Sequence, residues 1–208
     1  AASLSVARSQ RAPSAQELYA RGVHLATNTY EIGTPTLDVE TANSVELSLK
    51  KTGGATTFPA SAYRYAYDGY IFARTLDRFE DFRLIRYSQA DATFTGIEGE
   101  VRHAFAPGLS ASVFGDYVRA KFDEGGDLPR IPAGRLGVRG DFARGDWSGS
   151  LEYVRVFEQE KIADFETKTP GYDMVNGTLA YDFAAAGFAS QVFVRGTIDM
   201  RMVSMIIN

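Results

Sequence analysis

The sequence contains no cysteine, a single tryptophan and two histidines. Without cysteine there is neither a disulfide scaffold nor a thiolate metal site, a composition that suits an envelope compartment where free thiols would be oxidised. No window approaches the roughly 18 apolar residues of a spanning helix. The opening stretch Ala1-Ala2-Ser3-Leu4-Ser5-Val6-Ala7-Arg8 lacks the charged start and apolar block of a signal peptide, so any export signal is expected upstream. The histidines, His24 and His103, stand far apart and belong to no triad or metal-ligand spacing. Gly96-Ile97-Glu98-Gly99 and Gly125-Gly126 lack the lysine or third glycine of a phosphate loop. An enzyme is therefore not expected, and no cofactor is implied. The net charge of -4, with Lys and Arg scattered, gives no footprint for nucleic acid.

What the sequence does have is 11 Tyr and 14 Phe, a bias that favours strands, and alternation with a period of two. In Ser44-Val45-Glu46-Leu47-Ser48-Leu49-Lys50 the apolar and polar residues point to opposite faces. Ile97, Gly99 and Val101 alternate with Glu98, Glu100 and Arg102. Leu136, Val138, Gly140 and Phe142 alternate with Arg135, Gly137, Arg139 and Asp141. Strands are expected over Ala2–Gln10, Thr41–Lys51, Thr56–Thr75, Ala90–Phe105, Leu109–Phe122, Ala133–Phe142, Trp147–Glu158, Gly171–Phe183 and Phe188–Thr197. These make about nine strands, several near the roughly 9–11 residues that cross a bilayer at a tilt.

The connections alternate in length. Lys51–Ala55, Ala106–Gly108, Ala143–Asp146 and Ala184–Gly187 are tight glycine- or proline-bearing turns, whereas Arg11–Glu40, Leu76–Gln89, Asp123–Ile131 and Gln159–Pro170 are long and polar. That is the pattern of an all-β, antiparallel up-and-down transmembrane β-barrel fragment with short periplasmic turns and long extracellular loops. Tyr63, Tyr65, Tyr67, Tyr70, Phe72, Tyr117, Tyr153 and Tyr172 are expected in an aromatic girdle at the membrane–water interface. Packing inside a soluble core is the alternative reading of the same residues.

Several strings carry a family resemblance. Arg11-Ala12-Pro13-Ser14-Ala15-Gln16-Glu17-Leu18-Tyr19 resembles the "RAPsxxELY" stretch of TonB-dependent outer-membrane receptors. Glu31-Ile32-Gly33-Thr34-Pro35-Thr36-Leu37-Asp38-Val39-Glu40-Thr41-Ala42-Asn43 is similar to their "GNPxLkPEtsxxxElG" element, with Thr34 and Val39 in place of Asn and Pro. The similarity continues in Tyr67-Asp68-Gly69-Tyr70-Ile71, Gly96-Ile97-Glu98-Gly99-Glu100, Gly115-Asp116-Tyr117-Val118-Arg119-Ala120, Leu128-Pro129-Arg130-Ile131-Pro132 and Thr169-Pro170-Gly171-Tyr172. The resemblance implies part of a Gram-negative outer-membrane receptor for energy-coupled uptake of a siderophore or other metal chelate. Its implied partners are outer-membrane lipid, a plug domain, the remaining barrel strands and the TonB complex. The family's plug, TonB-gripping box and aromatic-ended last strand are not found here, so the segment by itself is not expected to transport. Residues 1–197 are assigned to the partial barrel. Residues 198–208, which hold three of the four methionines, lose the pattern and are read as an atypical, truncated or frameshifted tail.

The loop Arg21–Glu31 resembles the "GpHxATgtfE" loop of some of these receptors, which makes His24 and Glu31 the candidate ligand-binding residues and His24 the candidate metal contact. A solvent-exposed loop histidine without a ligand is the competing reading. Glu46, Glu98, Glu100, Asp116, Arg135, Arg139 and Glu152 are expected to face the lumen, and Val45, Leu47, Ile97, Val101, Leu136 and Val138 the lipid. Two rivals stay open: a small structural or adhesive outer-membrane barrel, and a soluble β-sandwich binding module.

Overall fold

The computed structural model describes residues 1–79, 82–185 and 187–200. Its backbone is one sheet built from successive hairpins. The long strands are β1 (Ala2–Arg11), β4 (Glu40–Lys51), β5 (Thr56–Phe79), β6 (Phe82–Ala106), β7 (Leu109–Phe122), β8 (Arg135–Arg144), β9 (Trp147–Val156), β10 (Tyr172–Ala185) and β11 (Phe188–Asp199). Each pairs antiparallel with the next in the order β1-β4-β5-β6-β7-β8-β9-β10-β11. The short links 51–56, 106–109, 144–147 and 185–188 lie at one end and the long connections at the other, as the turn chemistry demands. The path runs from β1 to β11 without joining them, so the sheet is open. Among the described residues there is no second sheet to pack against, and a sandwich is not formed.

Two expectations need correction. The connection Arg11–Glu40 is not plain loop: it holds a short helix α1 (Ala15–Tyr19) and a hairpin of β2 (Arg21–His24) and β3 (Thr29–Ile32), raising the strand count from nine to eleven. β3 pairs parallel to β6, Thr29 opposite Arg83 and Ile32 opposite Arg86, a local departure from an antiparallel sheet. The segment Leu76–Gln89 is strand in its described parts, residues 76–79 ending β5 and residues 82–89 opening β6, strands of 24 and 25 residues. At about 3.3 Å per residue such strands reach roughly 80 Å, far more than a bilayer requires. The register shift at Thr75/Asp77 obscures the alternation there. Of the tail, β11 takes in Ile198 and Asp199; residues 201–208 lie outside the described residues.

Register fixes the two faces. Leu4, Leu47, Ala62, Ile97 and Tyr117 form one cross-strand row, and Val101, Val113, Val138, Tyr153 and Val175 form another. The large apolar side chains of these rows are mostly exposed. The opposite face carries the row Ser48, Ser61, Glu98, Asp116 and Arg135. The arrangement inverts that of a water-soluble sheet, because none of the described residues covers the greasy face. The main buried cluster lies towards the long-loop end of the polar face. There Leu128, 1% exposed, tucks the β7–β8 connection onto Ala92 and Ala120, beside Tyr67, Tyr70, Phe94 and Phe122.

Candidate functional site

Local chemistry sets up the β1–β4 connection. Ser14 caps α1 by accepting from the Glu17 N–H while Glu17 accepts from the Ser14 N–H, a capping box. Arg11 then clamps both ends of the connection. Its guanidinium donates to Glu17 at 2.9–3.0 Å and to Glu40 at 3.3–3.4 Å, and Glu40 accepts the backbone N–H of Ile71 at 2.7 Å. Burial alone would raise the Glu17 carboxyl, but the bonds from Arg11 and Ser14 outweigh it and hold it below its ordinary range. Gly33 lets the returning chain pass the helix end: a Cβ there would lie 2.5 Å from the backbone of Leu18 and Tyr19. Arg11 and Glu17 of the first family-like string and Glu40 of the second thus meet in one ion-paired knot.

Glu31 is the second node. Only 5% exposed, it accepts from Gln16 Nε2 at 2.7 Å and Tyr87 Oη at 3.0 Å on one oxygen, and from Thr29 Oγ1 at 3.1 Å on the other. That second oxygen also lies 2.9 Å from His24 Nδ1. Burial pushes this carboxyl up, yet the bonds from Gln16, His24, Tyr87 and Thr29 together bring it below the usual carboxylate range. An ionised carboxylate can only accept, so Nδ1 carries a proton and Nε2 is the ring nitrogen left for a ligand. The His24 side chain is 46% exposed. The structure therefore brings His24 and Glu31 together, as a positioned imidazole and its support. Among the described residues no group of three or more His, Cys, Asp or Glu side chains could hold a metal ion.

Glu46, Glu98, Glu100, Asp116, Arg135, Arg139 and Glu152 all fall on the polar face by register. They are not gathered into one site. Ser48 donates to Glu46 at 2.9 Å and Ser61 to Glu98 at 3.0 Å. Arg135 pairs with Asp116, Arg139 lies 2.8 Å from Asp141 and 3.8 Å from Glu152, and Asn176 donates to Glu152 at 3.0 Å.

The aromatic expectation splits. Tyr63, Tyr65 and Tyr67 lie opposite Glu46, Ser44 and Ala42, so they stand on the polar face. A bulge at Asp68–Gly69, with Gly69 at φ 65°, inserts one residue and keeps Tyr70 and Phe72 on that same face. Tyr172 joins them opposite Val156, which itself pairs with Arg135. These six cannot form a girdle on the apolar side. Tyr117 and Tyr153 do stand on the apolar face, opposite Ile97 and Val138. At its short-turn end the contacts are His103–Phe105 at 4.8 Å, Trp147–Tyr181 at 4.8 Å and Tyr181–Phe183 at 6.2 Å. The sequence reading missed Gln16 and Tyr87, the donors that secure Glu31. Tyr87 lies 56 residues from its partner, in a stretch read as loop, and no local pattern marks it.

A model of the family described as "TonB dependent receptor-like, beta-barrel" matches residues 1–198. Among solved structures, the copper transporter OprC superposes with a TM-score of 0.78 at 18% identity, covering 92% of this chain and 30% of its own. A variant of the ferric enterobactin receptor PfeA from Pseudomonas aeruginosa gives 0.68 at 17%, covering 93% and 32%. The siderophore receptor PirA from Acinetobacter baumannii gives 0.66 at 15%, covering 93% and 34%. The chain therefore spans about a third of the length of the solved structures it matches.

Proposed function

Because this chain belongs to the TonB-dependent receptor β-barrel family, we propose that it forms part of the wall of an outer-membrane receptor that takes up a metal-containing nutrient, a siderophore complex or other metal chelate, with energy from the TonB complex. The observation that carries this reading is the pairing of an uncovered apolar face with a knotted, hydrogen-bonded platform at the long-loop end. The apolar face suits lipid, and the polar face suits a hydrated lumen holding a plug. Glu46, Glu98, Glu100, Asp116, Arg135, Arg139 and Glu152 then line the lumen. His24 presents Nε2 to the ligand and Glu31 fixes its orientation, so that a metal contact through His24 draws its other donors from the chelate. The names of the structural neighbours, copper and siderophore receptors among them, support this substrate class.

The test is uptake by the host under metal limitation. Deletion of the gene is expected to abolish accumulation of one labelled metal chelate, a protonophore to have the same effect, and His24→Ala to raise the half-saturating concentration. Unchanged uptake of ferric and copper chelates alike overturns the substrate class. Uptake indifferent to the protonophore overturns the energised mechanism.

A further inference from the structure

At the long-loop end of the polar face, β5 and β6, the β7–β8 connection and the β9–β10 connection border a hollow of about 350 Å³. That is the small end of the roughly 300–1,000 Å³ usual for small-molecule sites. Part of its lining is apolar: Phe72 and Phe122 pack ring to ring at 4.7 Å, and Ile162 and Ala163 add to them. The two connections are tied to the sheet and to each other. Leu128 is buried on β6 and β7. Gln159 Nε2 donates to the carbonyls of Ile131 at 2.8 Å and Pro132 at 3.2 Å. Glu166 accepts the N–H of Arg130 at 2.9 Å and of Ala163 at 3.1 Å. A hollow held by such ties is formed in advance, which lowers the ordering cost of binding.

The charges around it are of both signs and uncombined. Arg74 stands on β5, two residues beyond Phe72 and on the same face. Its cross-strand partner is Arg86, also exposed, and like charges directly opposite one another are destabilising. Glu124 and Asp127 come from the β7–β8 connection and Asp164 from the β9–β10 connection. Among the described residues none of these charged groups forms an ion pair. Asp91, which also lines the hollow, is engaged by the Gly69 N–H of the bulge at 2.8 Å. A guanidinium facing a second one calls for an anionic group, and a carboxylate matches its donor fork. The free carboxylates call for a cation, yet they are not gathered closely enough to hold a metal ion. A wholly anionic ligand would meet Glu124, Asp127 and Asp164 as like charges, and a wholly cationic one would meet Arg74 and Arg86. A carboxylate at one end, an ammonium at the other and an apolar body between them satisfy every wall at once.

We propose that this hollow binds a zwitterionic, amino-acid-derived portion of the cargo, its carboxylate on Arg74, its ammonium on Glu124 and Asp127, and its apolar body over Phe72 and Phe122. The proposal rests on the receptor reading above. Its test is isothermal titration calorimetry of the intact receptor, purified from its membrane in detergent, with the tripeptide Ala-Phe-Ala in free-ended, N-acetylated and C-amidated forms. The free peptide is expected to bind at least tenfold more tightly than either blocked form. Arg74→Gln should abolish discrimination against the amide and keep that against the acetylated peptide, while Glu124→Gln/Asp127→Asn should do the reverse. Heat-modifiable gel mobility confirms that each variant has assembled. No binding of the free peptide by assembled wild type, equal binding of all three forms, or variants that keep both discriminations overturns the site. Uptake of a labelled metal chelate is measured without the peptide, so any of those results leaves the receptor reading intact. Loss of the uptake result with peptide discrimination retained overturns the metal-chelate reading and supports the site.

Discussion

At the scale of single residues, the informative contrast is between Glu31 and His24. Glu31 collects four partners from α1, β2, β3 and β6, whereas His24 is tied through Nδ1 to one. Glu31→Gln puts an amide where only acceptors fit, leaving donors unsatisfied at a cost of about 1–3 kcal/mol. Amide exchange across Arg21–Ile32 should accelerate in this variant, while His24→Ala leaves exchange nearly unchanged and weakens ligand binding alone. The pH response has a definite sign. Because the carboxyl of Glu31 is held below its ordinary value in the docked loop, it stabilises the docked form above the reference value near about 4.3 and ceases to do so as pH falls through the lowered one. Protection of this hairpin should therefore be lost in acid and not in mild alkali. Much of this was legible locally: His24 and Glu31 stand seven residues apart in one stretch, and Arg11, Glu17 and Glu40 sit in recognisable strings. Their convergence was not, because Gln16, Tyr87 and Ile71 reach these carboxylates only through strand register.

At the scale of elements, period-two alternation specified the faces wherever pairing is regular. Val45, Leu47 and Leu49 on β4, or Leu136 and Val138 on β8, could be placed from the sequence because β4 and β8 pair without a register break. Leu47→Arg should then impair assembly by about 2–4 kcal/mol if the residue lies near the membrane midplane. Ser48→Arg on the same strand should be tolerated, and heat-modifiability gels read the difference; identical behaviour would contradict the proposed assignment of faces to lipid and lumen. Alternation fails on β5, where the bulge shifts parity and the tyrosine run cannot be sided by counting. Gly69 makes that bulge possible: its φ of 65° is strained for other residues, and a Cβ would meet the Gln89 side chain at 2.6 Å. Gly69→Val is expected to loosen the upper hairpin, seen as faster amide exchange over Tyr70–Ile85, with the lower rungs Ala60–Tyr65 unaffected. Exchange unchanged in both segments would show that the bulge does not depend on glycine.

At the scale of the whole molecule, one physical fact governs behaviour: β1 and β11 are the two ends of an open sheet. Each presents a row of backbone donors and acceptors that a hydrocarbon environment cannot satisfy, at several kcal/mol for each orphaned group. Closing the present strands into a small barrel would require a different tilt and stagger from those of a receptor-sized barrel of roughly 22 strands. The 208-residue chain produced alone and refolded in detergent should therefore keep β-type circular dichroism, show no compact heat-modifiable band, and elute as dimers or larger species joined through those edges. Supplying the strands that flank β1 and β11 in a receptor-sized barrel should convert it to a monomeric, heat-modifiable form. A compact monomer from this chain alone would mean that the sheet can satisfy its own edges, and would favour the small self-contained barrel over the receptor wall. A wall that completes itself in so few strands leaves no lumen wide enough for a plug and a metal chelate.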